Sequence, residues 1–487
     1  MRILEDSQLK LWCILKNVTK LQQKILYKFF MIGVLSVPYS PLFSEPYGFI
    51  GHIAGNQIDV VDTATNTLLS PITVGSIPEF SVSSLDGTKL FVSNLGSNTV
   101  SVINVSDFSI TATVDVGTSP QYIAISPDGS TVFVVNTGSS NISWIDVANP
   151  SNLNSGAIAT DATPNFIAFT PDGLIGIVPC LGSNVISLFN PVTKTFIKNI
   201  PTGLSLASNP GFVAAYDNQY AYVSNTGAPS SVSYVNLLTD AVTEITTNIG
   251  SFPSAMSLSP DKSKLFVGNA SDTTISIIDT ASNTASLVNV GFPPFDVIVS
   301  PDGNTVYVSS FFDASIIAYN IQTTAQVTIP TQTSPSYLVF TPDGTHFYVP
   351  NIGSSSLSYV GNSPPTFPTQ TITGLLPNPV WMTIAYAKSS PVSKPQNLQG
   401  QKKKNTFFLQ EDLINQLTWS PPSGAAPASY KIYRNAELTD LAGEVLASDP
   451  LIFLDHNIGK HQTVSYYVVS ISASGSSSPS ATTTISR

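Results

Sequence analysis

The sequence predicts an all-β chain: a β-propeller, meaning a ring of four-stranded blades, followed by a β-sandwich. Three observations carry this. Thr, Ser, Val, Ile and Asn dominate, and long Leu/Ala/Glu/Lys stretches are absent after residue 30, a bias toward strands and turns. One turn sequence recurs seven times at intervals of 41–45 residues. Beyond residue 388 that period stops, and short alternating strands continue to the C-terminus.

With 487 residues, 42% hydrophobic and only 10% charged, the chain has the composition of an ordered globular protein of two or three domains. The formal net charge is −10, unevenly spread. Residues 47–387 hold five lysines, no arginine and twenty acidic residues, a net of −15. Nucleic-acid binding needs a basic surface, so no nucleic-acid partner is expected.

Residues 1–46 read as an export segment. Lys10, Lys16, Lys20, Lys24 and Lys28 precede the apolar run "FFMIGVLSV" from Phe29, and "PYSPLFSE" offers small residues for cleavage, with Ser44 a candidate. The apolar run is short for a bilayer span, so the mature chain is expected to lack a transmembrane segment and to be periplasmic, surface-located or secreted. Cleavage would leave Cys180 without an intrachain partner, and it reads as a small buried hydrophobe.

Residues 47–387 carry the repeat. Its Asp positions are 86, 128, 172, 217, 261, 302 and 343. A 40–45-residue unit of four short strands is how a propeller blade is written in sequence. Strand A is typified by "PQYIAI" (Pro120 to Ile125), strand B by "TVFVVN" (Thr131 to Asn136), strand C by "NISWIDV" (Asn141 to Val147) and strand D by "ITATVDVG" (Ile110 to Gly117). The segment 47–75 supplies strands B, C and D without an A, and 378–387 supplies an A alone. Paired, they close the ring and hide its edges. Seven units plus this composite make eight blades; seven is the alternative should the unit around Tyr216 fail to form a full blade.

The stretches "SPDGSTVFVVNTGSSNISWIDV" from Ser126, "SPDKSKLFVGNASDTTISIIDT" from Ser259 and "SPDGNTVYVSS" from Ser300 resemble the YVTN-type β-propeller repeat of surface-layer and other exported proteins. The resemblance implies the fold. It says little of activity, because that family spans binding proteins and distant relatives of lactonases.

Residues 388–396 form a Pro- and Ser-rich linker, and 397–487 form the sandwich. The order "LTWSPP" (Leu417 to Pro422), "SYKIYRN" (Ser429 to Asn435), "SYYVVSISASG" (Ser465 to Gly475) resembles a fibronectin type III domain. That resemblance implies a core Trp419, a tyrosine-corner Tyr467, and Val469, Ile471 and Ala473 pointing inward.

The repeated Pro-Asp-Gly is a turn: Pro sets φ, Asp accepts backbone hydrogen bonds and Gly takes positive φ. The Asn after strand B (Asn94, Asn136, Asn225, Asn269, Asn351) has a similar structural explanation. No catalytic constellation and no metal-ligand spacing is present among the four His and two Cys, and no cofactor is expected. A site, if present, belongs at the channel mouth, where the D–A and B–C loops share one face. The residue after each strand-A Pro differs from blade to blade: Glu79, Gln121, Asn165, Gly211, Ser254, Phe295, Ser336 and Val380. Glu79, Gln121, Asn165, Asp296 and His52 are the polar ligand-binding candidates.

The function these features favour is an exported, monomeric, non-enzymatic binding or scaffold protein, presenting a loop face to protein or glycan at the cell envelope. The alternative is a lactonase-like hydrolase or lyase with a metal-assisted site at the channel mouth.

Overall fold

The computed structural model describes residues 47–150, 156–203, 208–385, 396–407, 410–421, 429–434, 441–446, 451–455, 463–472, 475–476 and 483–486. The predicted export segment and residues 388–395 of the linker lie outside them, while Gln396 already begins a strand. Two compact units separate, one within 43–391 and one within 392–487.

In the first unit the repeats fold as antiparallel sheets, seven of four strands and one of five, eight in all among the described residues. Blade 1 consists of Pro78–Ser83, Lys89–Asn94, Thr99–Asn104 and Ile110–Asp115. Its outermost strand is largely exposed, whereas in blade 2 strand B, Thr131–Asn136, is buried at all six positions. Blades stack on both faces of that strand, hence its unbroken apolar sequence. The unit around Tyr216 forms a full blade from Pro210–Ala215, Tyr220–Asn225, Ser231–Asn236 and Val242–Ile245, which settles the count at eight.

Both chain ends of this unit meet in blade 8. Tyr47–His52 pairs antiparallel with Pro379–Ala385, Tyr47 opposite Ala385 and Phe49 opposite Thr383. The outer edge is split into Thr67–Leu68 and Ile72–Thr73, both paired with Gln57–Asp62. Eight apolar clusters lie between successive blades. One joins Phe49, Val60 and Trp381 of blade 8 to Leu90 and Val92 of blade 1, and another joins Tyr348 and Leu357 of blade 7 to Ile50 and Met382. Each buried Val or Phe contributes roughly 1.5–3 kcal/mol, so closure gives both flanks of every blade an apolar neighbour. Cys180 is fully buried in the cluster between blades 2 and 3, and burial pushes its thiol pKa up.

The repeated turns and asparagines are internal ties. Asp128 Oδ1 accepts from Ser126 Oγ at 2.6 Å, Ser130 N at 3.0 Å and Ser130 Oγ at 2.9 Å, with Gly129 at φ 73°. These donors hold the Asp128 carboxyl below the usual carboxylate range. Asn136 Nδ2 donates to Asn141 Oδ1 and Ser143 Oγ at 2.8 and 2.9 Å, tying strand B to strand C. Trp144 packs against the cluster between blades 2 and 3, under the Lys194 ammonium 3.8 Å from its ring centroid.

The second unit has two sheets, one of Gln396–Phe407, Gln410–Ser420 and Ile452–Asp455, the other of Leu441–Leu446, Ser429–Tyr433, Thr463–Ser472 and Gly475–Ser476, with Thr483–Ser486 also on Thr463–Ser472. Trp419 is in the core, as expected, with Tyr430, Ile432, Val464, Tyr466 and Val468. The tyrosine differs from expectation: Tyr466, not Tyr467, is fully buried. Its hydroxyl donates to Asp455 Oδ2 at 2.7 Å and accepts from Asn415 Nδ2 at 2.9 Å. Asp455 in turn accepts Arg434 Nε and Nη2 at 2.9 and 2.8 Å. Val469 is also buried; Ala473 lies outside the described residues. No helix among the described residues is long and apolar enough to cross a membrane.

Candidate functional site

Each blade enters strand A through a proline: 78, 120, 164, 210, 253, 294, 335 and 379. In blades 1, 2 and 8 the pairing with the neighbouring strand slips directly after it. Pro78 opposes Asn94 while Phe80 opposes Ser93, Pro120 opposes Asn136 while Tyr122 opposes Val135, and Pro379 opposes His52 while Trp381 opposes Gly51. The skipped residue is a β-bulge, which re-aims the side chains around it. The residue two beyond the proline is then Phe80, Tyr122, Phe166, Phe212, Ala255, Asp296, Tyr337 or Trp381. Six of the eight are aromatic.

These rings touch in sequence across blade boundaries. Centroid separations are 6.4 Å for Trp381–Phe80, 4.9 Å for Phe80–Tyr122, 4.3 Å for Tyr122–Phe166 and 5.1 Å for Phe166–Phe212. Tyr337 lies 5.7 Å from Phe80 on the other side. From Tyr337 the series continues through Phe295 at 5.0 Å to Phe311 and Phe312, and Phe312 is 77% exposed.

The rings line an open cavity of about 270 Å³, walled by Phe80, Tyr122, Phe166, Phe212 and Tyr337, with Ala255 and Met256 where the aromatic series breaks. Gln121, Asn165 and Asp296 supply its polar wall, so the structure brings three of the five sequence candidates together. Glu79 is half-buried beside Phe80, and burial pushes its carboxyl pKa up. His52 is elsewhere, 1% exposed. Its Nδ1 is 3.1 Å from Pro377 O and its Nε2 3.1 Å from Asp59 Oδ2, an arrangement that ties the seam of blade 8. The expectation of His52 at an open mouth is therefore corrected: strand Tyr47–His52 is covered by the C-terminal strand of the ring.

Asp296 is the acidic group of the wall. Oδ1 accepts from Val297 N and Oδ2 from Leu338 N, each at 2.9 Å. Burial outweighs these two bonds and raises its pKa to about 6. Tyr122 is pushed up to about 12 by burial and by the Asp296 charge, and Tyr337 is raised by burial, Asp296, Tyr122 and Glu79. Both phenols are neutral donors at physiological pH. Gln121 Oε1 accepts from Thr137 Oγ1 at 3.0 Å, and Asn165 Nδ2 donates to Gly211 O at 2.9 Å. The Asn165 Oδ1 atom is buried without a partner among the described residues.

Among the described residues no lysine or arginine lines the cavity. Lys89 donates to Val147 O, Lys198 pairs with Asp240, Lys262 donates to Tyr216 O and Lys194 covers Trp144. Among the described residues no three His, Cys, Asp or Glu side chains are grouped to hold a metal ion. The cavity combines aromatic rings with one half-buried carboxyl and two side-chain amides, a set suited to binding.

No family model and no curated protein matches the chain. Among solved structures it is similar to dihydro-heme d1 dehydrogenase NirN in complex with DHE, at 16% identity over 72% of this chain and 78% of that one, with a TM-score of 0.58. It is also similar to AztD from Citrobacter koseri, at 12% identity over 70% of this chain and 98% of that one, with a TM-score of 0.53. At such identities the likeness is one of fold. These neighbours are β-propellers, and with the eight-sheet ring they place the chain in that class.

Proposed function

We propose that the protein is an exported, non-enzymatic binding protein of the cell envelope, and that the aromatic cavity is its ligand site. The carrying observation is the ring of residues two beyond each strand-A proline, six aromatic and one acidic. A fold needs the proline and the turn; it does not need five aromatic side chains around an open cavity. At about 270 Å³ the space is at the small end for ligand pockets, and suits one residue-sized group. The exposed Phe312, linked ring by ring to Tyr337, supports a loop face presented to a larger partner, protein or glycan. The C-terminal unit serves as a fibronectin type III-like spacer or second contact, and the working state is a monomer.

The test is a pull-down from the native envelope with the mature chain, repeated with Asn165→Ala and Glu79→Ala. Loss of the captured partner with Asn165→Ala supports the reading. Unchanged partners in both variants exclude the mouth as the interaction surface.

A hydrolase or lyase at the same cavity is the second reading. Asp296 favours it, because a carboxyl titrating near 6 is placed for general-base work. Lactone turnover abolished by Asp296→Asn would select this reading over the first.

A further inference from the structure

The walls of the mouth cavity are matched in sign as well as in size. Its aromatic wall comes from Phe80, Tyr122, Phe166 and Tyr337, with adjacent centroids 4.3–5.7 Å apart. Aromatic faces carry negative charge density and attract cations. Asp296 stands at the one position of the ring where a carboxylate replaces an aromatic or an alanine. Among the described residues both of its oxygens accept only backbone N–H groups, which leaves the ionised form without a cationic partner there. Asn165 adds an amide to the wall, and no basic side chain among the described residues lines the space. An anion would find no charged donor there. A neutral sugar would find aromatic faces and leave the carboxylate uncompensated.

We propose that the group bound in this cavity is a small organic cation, a methylated ammonium whose methyl groups lie on the aromatic faces and whose charge is balanced by Asp296. The inference rests on the binding reading of the cavity and adds the chemical class of its ligand. The wall offers more π faces than free acceptors, and this favours a methylated ammonium over a primary one, which needs three acceptors for its N–H groups.

The test is titration calorimetry on the full chain at pH 8, with choline and tetramethylammonium as probes. The comparison probes are methylammonium, the neutral alcohol in which carbon replaces the choline nitrogen, and glucose. Choline is expected to bind at least about tenfold more tightly than its neutral isostere. Asp296→Asn and Tyr122→Leu are each expected to weaken choline by about tenfold or more, with the far-ultraviolet circular dichroism unchanged. Equal binding of choline and the neutral isostere, or unchanged choline binding by folded Asp296→Asn, overturns the proposal. Tighter binding of methylammonium than of tetramethylammonium overturns the methylated class. Absence of ammonium binding, while the envelope partner is still captured in an Asn165-dependent way, overturns the cation and leaves the binding site standing.

Discussion

Asp296 of blade 6 accepts the backbone N–H of Leu338 in blade 7 at 2.9 Å. A carboxylate used as a structural tie between blades would be expected to carry a lowered pKa, as Asp128 and Asp261 do in their turns. Asp296 instead is raised to about 6 by burial, so its ionised form works against the fold.

The sign of the resulting stability effect follows from proton linkage. The folded state holds the Asp296 proton more tightly than the unfolded chain does, so stability falls as pH rises from the ordinary value of 3.8 toward about 6. Above that the penalty levels off, on the order of 2–3 kcal/mol. Asp296→Asn removes it while keeping one of two acceptors, whose loss costs about 1 kcal/mol. The variant is expected to melt at higher temperature than wild type at pH 8 and to lose that advantage at pH 4. Thermal denaturation at the two pH values checks this; a variant that melts lower at pH 8 would show that the carboxylate is a stabilising tie.

Affinity for a cationic probe should follow the same titration in the opposite sense. The groups facing Asp296 are Tyr122 from blade 2, Tyr337 from blade 7 and, through Tyr337, Glu79 from blade 1. Only the carboxyls titrate below pH 8. Choline binding is expected to strengthen as pH rises through about 6 and then to level off. Calorimetry from pH 5 to pH 8 in wild type and Glu79→Gln separates the two carboxyls, and a slope retained in Glu79→Gln assigns it to Asp296.

Ring closure has a sharp packing test at Gly51. A Cβ at this position would lie 2.0 Å from Trp381 Cε2, whose Nε1 donates to Pro78 O at 3.3 Å and so fixes the indole between blades 8 and 1. Gly51→Ala is expected to cost roughly 1–3 kcal/mol through overpacking. Limited proteolysis should then release the strand Pro379–Ala385 faster than in wild type.

The turn residues should behave as structure and nothing else. Asp128→Ala removes the acceptor of three hydrogen bonds, and a loss of about 1–2 kcal/mol is expected. Ligand capture by the folded variant should be unchanged. Loss of capture would place function on the opposite face.

The architecture was legible because its signals are local and repeated. An Asp marks each turn, as Pro-Asp-Gly in four of the seven, and the unpaired strands at 47–75 and 378–387 match as halves of one blade. The site was only partly legible. In blades 1, 2 and 8 the residue directly after the proline is the bulge, and Gln121 and Asn165 do line the cavity. Its aromatic wall sits one position further on, in a Pro-x-aromatic pattern at 78–80, 120–122, 164–166, 210–212, 335–337 and 379–381. That pattern is a readable signal, masked because buried strands are apolar on both faces. The same ambiguity explains Tyr466 and Tyr467: in "YYVV" both strand phases are apolar, and a one-residue change of phase exchanges the faces. His52 was not legible, because Pro377 meets it only after the ring has closed, where it and the hairpin neighbour Asp59 take up both ring nitrogens.

The central claim is that ligand enters the cavity, in addition to touching the loops around it. Ala255, 6% exposed, is a gap in the aromatic ring and lines the cavity. Ala255→Phe fills that gap and leaves the loop sequences intact. The decisive measurement compares capture of the envelope partner by wild type and by folded Ala255→Phe. Abolished capture is the result expected here; capture at the wild-type level would contradict it and move the binding site to the loop surface.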